Sequence, residues 1–133
     1  MSEDAIRGKK IINCHPGIIP LSRGLDSFKW SIYNDEPIGI TLHYIDAEAD
    51  KGEVISIIKT NIYRTDSLET LARRHYENEI DIFANFEKYI NNPKFDFKDL
   101  AEKEARMRMP IDKEMQMARK FEEYKERFAV CVE

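Results

Sequence analysis

The chain has 133 residues, of which 42% are hydrophobic and 35% charged, and its formal net charge is -4. This length suits one domain with a modest core, and the acidic balance argues against a protein that binds nucleic acid phosphates. The charged first ten residues, and apolar runs that all stay well below ~20 residues, lead us to expect a cytoplasmic protein without a secretory signal or a membrane span.

The first third of the chain predicts a strand, a loop and a short helix. Residues 10–15 carry a short apolar run that is typical of a buried strand. Two prolines exclude a regular helix over 16–24, which we interpret as an ordered loop. A short helix is predicted to follow over about 27–34.

Two further strands are predicted in the middle of the chain. Residues 38–45 alternate apolar and polar side chains, and residues 54–62 are rich in β-branched side chains. The loop between them is too short for a parallel crossover, so we expect antiparallel neighbours within a mixed sheet. With the helices that follow, the fold class is α/β.

The second half predicts two amphipathic helices. Asp66 and Glu69 have the spacing of a capping box at the start of a long helix that ends before Pro93. Its predicted apolar face comprises Leu68, Leu71, Ala72, His75, Ile82, Phe83, Phe86 and Ile90. A second helix is predicted over 111–128, with Ile111, Met115, Ala118, Phe121 and Phe128 on its apolar side.

Two polar motifs lie where functional residues often lie, on loops next to strands. Asn13-Cys14-His15 ends the first strand, and Asp50 lies between the second and third strands. Taken alone, each motif is compatible with ordinary turn chemistry.

Three separated segments together resemble one enzyme family. They read NCHPGIIPLSRG, GITLHYID and ADKG. In this order and spacing they resemble the signature of the 10-formyltetrahydrofolate-dependent formyltransferases, across roughly residues 6–90. That family includes glycinamide ribonucleotide, methionyl-tRNA and sugar N-formyltransferases.

The resemblance implies formyl transfer from 10-formyltetrahydrofolate to a primary amine. It implies catalytic roles for Asn13, His15 and Asp50. Donors on Asn13 and His15 would stabilise an oxyanion, and Asp50 would assist proton movement. The segment that would lie along the pterin ring comprises Ile45, Asp46, Ala47 and Glu48. No metal is implied.

Gly17 stands where many family members have serine, and this resembles the sugar N-formyltransferases most. The implied acceptor is therefore a nucleotide-linked amino sugar, with glycinamide ribonucleotide and methionyl-tRNA as alternatives. The family domain usually begins with a nucleotide-fold half before the Asn-x-His motif. We expect this chain to lack that half, so that residues 1–92 form a catalytic part and residues 93–133 a helical carboxyl-terminal extension.

An unpaired edge on the first strand would then favour self-association or a partner chain that supplies the missing half. The alternatives are a truncated, non-catalytic remnant or subunit, and a hydrolase that acts on the same formyl donor. We interpret His43 as a packed strand residue, with a contact to the site as the alternative, and His75 as a helix-face residue. The spacing of Cys14, His15 and His43 fits no standard zinc site. Cys14 and Cys131 are expected to be reduced thiols, with a disulfide as the weaker alternative.

Overall fold

The computed structural model describes residues 11–45 and 53–130. Within these ranges the chain forms three strands and four helices. In chain order they are β1 (Ile12–His15), α1 (Ser27–Tyr33), β2 (Gly39–Tyr44), β3 (Val54–Lys59), α2 (Leu68–Ala84), α3 (Phe86–Asn91) and α4 (Ile111–Phe128).

The three strands form one sheet in the order β1-β2-β3, and both pairs are antiparallel. The predicted antiparallel pairing of the second and third strands is therefore confirmed. β3 ends at Lys59, three residues before the predicted end. Among the described residues β1 pairs on one side only, so it is an edge strand.

Two hydrophobic clusters form the core, and α2 contributes to both. The first lies between α1, α4 and the start of α2, and it comprises Ile32, Ile38, Ile62, Leu71, Met109, Met117, Phe121 and Tyr124. The second lies between the sheet and the end of α2, and it comprises Cys14, Ile40, Leu42, Ile55 and Ile82. The face of α2 that packs on the sheet also reaches the loop after β1, which bears on the site below.

The start of α2 differs from its prediction. Ser67, not Asp66, is the N-cap, and its side chain exchanges hydrogen bonds with Thr70. The carboxylate of Asp66 instead receives two hydrogen bonds from Arg74, at 2.7 and 2.8 Å. The long predicted helix is also interrupted at Asn85, which separates α2 from α3.

The predicted bounds of α4 are confirmed, but its predicted apolar side is wrong at three positions, Ile111, Met115 and Ala118, which are exposed. Ile111 and Met115 are 77% and 56% exposed, whereas Met117 and Phe121 are buried. Each helical residue turns by about 100°, so Met115 lies about 200° away from Met117 on the opposite side of the helix. The stripe that packs against α1 thus begins at Met117 and continues through Phe121 and Tyr124.

The segment between α3 and α4, residues 93–110, packs against the loop after β1. The amide of Arg106 donates to the carbonyl of Arg23, and its carbonyl accepts from the amide of Leu25, both at 2.9 Å. Gly24 lies between them with φ +91°, and a Cβ there would collide with the backbone of Arg106. No helix within residues 11–45 or 53–130 combines the length and the apolarity that a membrane crossing needs.

We expect Asp66→Asn to lower the free energy of unfolding by roughly 2 kcal/mol at neutral pH. The hydrogen bonds from Arg74 lower the pKa of Asp66 from 3.8 to about 2. Because the folded pKa lies below the unfolded one, the stabilisation is present above pH 3.8 and is lost as the pH falls towards about 2. Urea unfolding of the native and Asp66→Asn chains, at neutral pH and near pH 2, measures the difference in the free energy of unfolding at each pH.

Glu69→Gln is the matched control. Glu69 forms an ion pair with Arg73 of the same helix, but its side chain is 82% exposed. The substitution should cost less than about 0.5 kcal/mol at either pH. An Asp66→Asn variant that loses the same free energy at neutral pH and near pH 2 would contradict the electrostatic origin of the effect.

Candidate functional site

Asn13 and His15 lie on the same face of β1, because side chains two residues apart along a strand share one side of the sheet. The antiparallel register places Asn13 opposite His43 and His15 opposite Thr41. β1 ends at His15, where Pro16 removes a backbone donor. The fold thus collects four polar side chains, from β1 and β2, on one patch of the sheet.

The imidazole of His15 is held by the loop that follows β1. The residue is 5% exposed, and its Nε2 lies 2.8 Å from the carbonyl oxygen of Ser22. Because a carbonyl oxygen only accepts, Nε2 carries a proton in this contact. The hydroxyl of Ser27 lies 3.3 Å from the same nitrogen. These contacts set the orientation and tautomer of the ring before any substrate binds.

His43 orients the side-chain amide of Asn13. Nδ1 of His43 lies 3.1 Å from the carbonyl oxygen of Tyr44, so Nδ1 donates and Nε2 is left as an acceptor. Nδ2 of Asn13 lies 3.5 Å from that Nε2, which makes a long hydrogen bond. One amide hydrogen of Asn13 therefore points at His43, and the direction of the second hydrogen is fixed by the plane of the amide. His43 is 1% exposed, so it is both a packed strand residue and a neighbour of the site.

Thr41 and Gly17 shape the loop around His15. The hydroxyl of Thr41 donates to the carbonyl of Gly17 at 2.7 Å and accepts from the amide of Ile19 at 3.0 Å. A Cβ on Gly17 would lie 2.7 Å from the carbonyl oxygen of Ser22 and 2.8 Å from Cβ of Ser27. Glycine at position 17 thus lets the loop close on the two groups that contact His15.

A groove of about 410 Å³ opens beside β1. Asn13 and Cys14 line one wall, and the other wall comes from α2, through Tyr76, Glu79, Ile80, Phe83 and Ala84. Three of these apolar side chains, Tyr76, Ile80 and Phe83, are 57%, 55% and 48% exposed. The groove thus lies between residues Asn13 and Cys14 of β1 and an exposed apolar surface of α2.

The surroundings of the groove raise the pKa of two ionisable groups. Burial raises the pKa of the Cys14 thiol to about 12, and the nearby Glu79 adds to the rise. Burial also raises the pKa of the Glu79 carboxyl. A thiol with such a pKa stays protonated at neutral pH, so Cys14 is not a nucleophile here. The Cys14 side chain is a free thiol, and Cys131 lies outside the described residues.

Several predicted site residues lie outside the described residues. These are the catalytic candidate Asp50 and three of the four candidates for folate contact, Asp46, Ala47 and Glu48. The fourth, Ile45, extends the β1–β2 pairing by donating its amide to the carbonyl of Ile11 at 2.7 Å. Ile45 therefore lies near the start of β1, whereas His15 ends that strand. The structure brings Asn13 and His15 together on one strand.

The structure adds site neighbours that the sequence did not reveal. His75 is not merely a helix-face residue, because it is 5% exposed and its Nε2 lies 3.1 Å from the carbonyl oxygen of Pro16. The carbonyl of Ser22 and the hydroxyl of Ser27 were also missed, since their role depends on how the loop folds back over β1. A buried histidine on an apolar helix face was the one local signal for His75. No group of three metal-binding side chains occurs among residues 11–45 and 53–130.

A family model described as "Formyl transferase" matches residues 4–86 of this chain. Among curated proteins, a phosphoribosylglycinamide formyltransferase from Haemophilus influenzae is 31% identical over 91 residues, which are 68% of this chain and 43% of that protein. A dTDP-4-amino-4,6-dideoxyglucose formyltransferase from Mycobacterium bovis is 37% identical over 51 residues, which are 38% of this chain and 22% of that protein. The chain thus spans less than half the length of these relatives.

Among solved structures, the chain is similar in fold to the formyltransferase PseJ from Anoxybacillus kamchatkensis. The TM-score is 0.62 and the identity 24%, over 87% of this chain and 61% of that one. That crystal structure is of a complex with UDP-4,6-dideoxy-4-formamido-L-AltNAc and tetrahydrofolate. The described strands and helices form an α/β arrangement with carboxyl-terminal helices that is similar to the formyltransferase fold, as predicted.

Proposed function

This chain belongs to the formyl transferase family, and on that premise we propose that it transfers a formyl group from 10-formyltetrahydrofolate to a primary amine. The observation that carries the proposal is the pair of oriented donors on β1. The amide of Asn13 is held by His43, and the imidazole of His15 is held by Ser22. An acyl transfer needs such donors at fixed positions, because negative charge develops on the carbonyl oxygen.

The proposed reaction forms a bond between the amine nitrogen and the formyl carbon, and it breaks the bond from that carbon to N10 of the folate. Asn13 donates its second amide hydrogen to the oxyanion. A cationic His15 is the second donor, and its proton balances the reaction when N10 gains one and the amine loses one. The oriented donors and the adjoining groove of about 410 Å³ suit an acyl donor of this kind.

We propose that Asp50 assists His15, since a carboxylate near an imidazole favours its cationic form. β1 runs about 10 Å from Ile12 to His15, at ~3.3 Å per residue. Asp50 lies five positions after Ile45 and three positions before Glu53, and these spans reach up to about 16 and about 10 Å when extended. The chain is therefore long enough for Asp50 to approach His15. The proposed folate contacts are Ile45, Asp46, Ala47 and Glu48.

The proposed acceptor is a nucleotide-linked amino sugar. The PseJ complex and the Mycobacterium bovis relative support this choice, since both names describe nucleotide-linked sugars. The Haemophilus influenzae relative favours glycinamide ribonucleotide as the second candidate. Methionyl-tRNA is a third candidate.

We also propose that residues 1–92 form the catalytic part of the chain and that residues 93–133 form a helical extension.

We also propose that further polypeptide of the formyltransferase fold covers the edge of β1 in the active protein. β1 pairs on one side only among the described residues, and the groove beside it exposes Tyr76, Ile80 and Phe83. The Haemophilus influenzae relative is more than twice as long as its matched segment, so it contains polypeptide beyond that segment. The alternative is that a second copy of this chain covers the edge. Light scattering tests it, because a dimer that Ile80→Asp converts to a monomer would show that this surface mediates self-association.

The test of the function is to incubate the chain with 10-formyltetrahydrofolate and each acceptor, and to identify products by mass spectrometry. We expect a formamide on the amino sugar and an equal amount of tetrahydrofolate. Formate release that does not require an amine would indicate a hydrolase instead. A folded chain that binds a folate analogue but forms no product would favour a subunit that needs its partner. A folded chain that neither binds nor reacts would contradict the proposal.

A further inference from the structure

His75 is a buried imidazole on α2 that lies against the loop after β1. Its Nδ1 lies 2.7 Å from the hydroxyl oxygen of Thr60, and its Nε2 lies 3.1 Å from the carbonyl oxygen of Pro16. The ring also packs against Phe28, with 5.8 Å between the ring centroids. Both ring nitrogens are therefore engaged, and the partners lie on two different segments of the chain.

The hydrogen bonds define the protonation of His75. The carbonyl of Pro16 only accepts, so Nε2 is the protonated nitrogen, and in the neutral ring Nδ1 then accepts from the hydroxyl of Thr60. Burial lowers the pKa of His75 below its ordinary value, and a charge on nearby His15 acts in the same direction. His75 is thus a neutral donor with one defined tautomer.

The carbonyl that His75 holds belongs to the residue that follows His15. The ring of Pro16 fixes its φ, so the direction of its carbonyl sets the path along which the loop leaves β1. The loop then returns to His15, because the carbonyl of Ser22 accepts from His15 and the amide of Ser22 donates to Ile18. The loop of residues 16–22 thus begins directly after His15 and ends at the carbonyl that contacts the imidazole of His15.

Two hydrogen bonds from neighbouring elements hold this loop of residues 16–22 in place. Thr41 binds the carbonyl of Gly17 from the sheet side, and His75 binds the carbonyl of Pro16 from the helix side. A Cβ at Gly17 would clash with the carbonyl of Ser22, which shows how closely the loop is packed. A shift of the Pro16 carbonyl would therefore be transmitted to the oxygen that orients His15.

We propose that His75 is a positioning residue for His15: by donating to the Pro16 carbonyl from α2, it fixes the loop whose Ser22 carbonyl sets the tautomer of His15. The inference rests on the proposed function for the importance of His15. Its structural consequence, however, is measurable without turnover.

The test compares two substitutions of nearly equal size, His75→Gln and His75→Met. Glutamine keeps an N–H donor close to the position of Nε2, whereas methionine fills the same space without a donor. Long-range ¹H–¹⁵N spectra of histidine-labelled protein show which ring nitrogen of His15 is protonated. We expect the Nε2–H tautomer in the native chain and in His75→Gln, and a mixture of tautomers in His75→Met.

A merely structural role for His75 would give a different pattern. Both variants would lose thermal stability, yet the His15 spectrum would be the same in the two, and that result would overturn the proposal. Where turnover is measurable, kcat should fall roughly ten- to hundredfold in His75→Met and stay near the native value in His75→Gln. If the His15 tautomers follow the expected pattern, with a mixture in His75→Met alone, but no variant and not the native chain shows turnover, the proposed function fails and the positioning role stands.

Discussion

Replacing His15 by asparagine is expected to lower kcat/KM for formyl transfer by roughly 10²–10⁴-fold. The imidazole is 5% exposed and its Nε2 is already committed to the Ser22 carbonyl, so the ring is oriented before substrate binds. Asparagine keeps a polar group but cannot gain and lose a proton near neutral pH. The loss should therefore fall on kcat, because a proton carrier acts mainly in the transition state.

The measurement is steady-state kinetics with 10-formyltetrahydrofolate and the best acceptor of the panel. Ser27→Ala is the matched control, since it removes the 3.3 Å contact to His15 and leaves the imidazole on Ser22. We expect it to change kcat by less than about fivefold, the factor that one neutral hydrogen bond of about 1 kcal/mol represents. A folded His15→Asn variant that retains the native kcat would remove His15 from the proposed chemistry.

The bounds of several elements, such as the end of β1 and both ends of α4, could be predicted because their signals are local. Pro16 ends β1, a short polar loop separates β2 from β3, and Pro110 precedes the helix that begins at Ile111. Such signals depend on backbone conformation within a few residues, so they survive without knowledge of the tertiary fold. The antiparallel pairing followed from loop length for the same reason.

The packing of the helices could not be predicted as well, because amphipathic spacing permits more than one face. On α4 the apolar residues Ile111 and Met115 face outwards, while Met117 is buried against α1. On α2 Phe83 is 48% exposed although it was placed on the apolar face. The spacing of apolar residues predicts a helix, but the elements that pack against the helix determine which of its apolar residues become buried.

The motif located the candidate site, yet the groups that orient it come from distant segments. Asn13 and His15 were predicted from a short signature, and the structure places both on one face of β1. Their partners include His43, Ser22 and, through Pro16, His75, which lies 59 residues away from Pro16 in the chain. These contacts depend on how the loop, the sheet and α2 pack together, and the spacing of residues in the sequence does not predict that packing.

Glu36→Gln is expected to lower the free energy of unfolding by about 3 kcal/mol, the lower end of the range for breaking a buried ion pair. The Glu36 side chain is 6% exposed and pairs with Arg106, which is 13% exposed. The two guanidinium–carboxylate contacts are 2.8 and 2.9 Å long, and Lys103 adds a third at 2.6 Å. Glutamine removes the negative charge and leaves the buried guanidinium of Arg106 without a counterion.

The control for this change is Glu102→Gln, whose carboxylate is 69% exposed and 3.9 Å from Arg23. It should cost less than about 1 kcal/mol, since exposed pairs contribute little. Chemical denaturation of both variants measures the difference. Equal losses, or a Glu36→Gln loss below about 1 kcal/mol, would show that the buried ion pair does not anchor residues 93–110.

The same ion pair links the carboxyl-terminal part of the chain to the candidate site. The backbone of Arg106 pairs with Arg23 and Leu25, and Arg23 directly follows Ser22, whose carbonyl orients His15. Glu36→Gln should therefore speed hydrogen exchange at the amides of Leu25 and Arg106 by more than the global loss alone predicts. If those amides exchange only by global unfolding, residues 93–110 stabilise the fold without shaping the loop. If they exchange by local opening, the segment outside the family match helps to hold His15 in place.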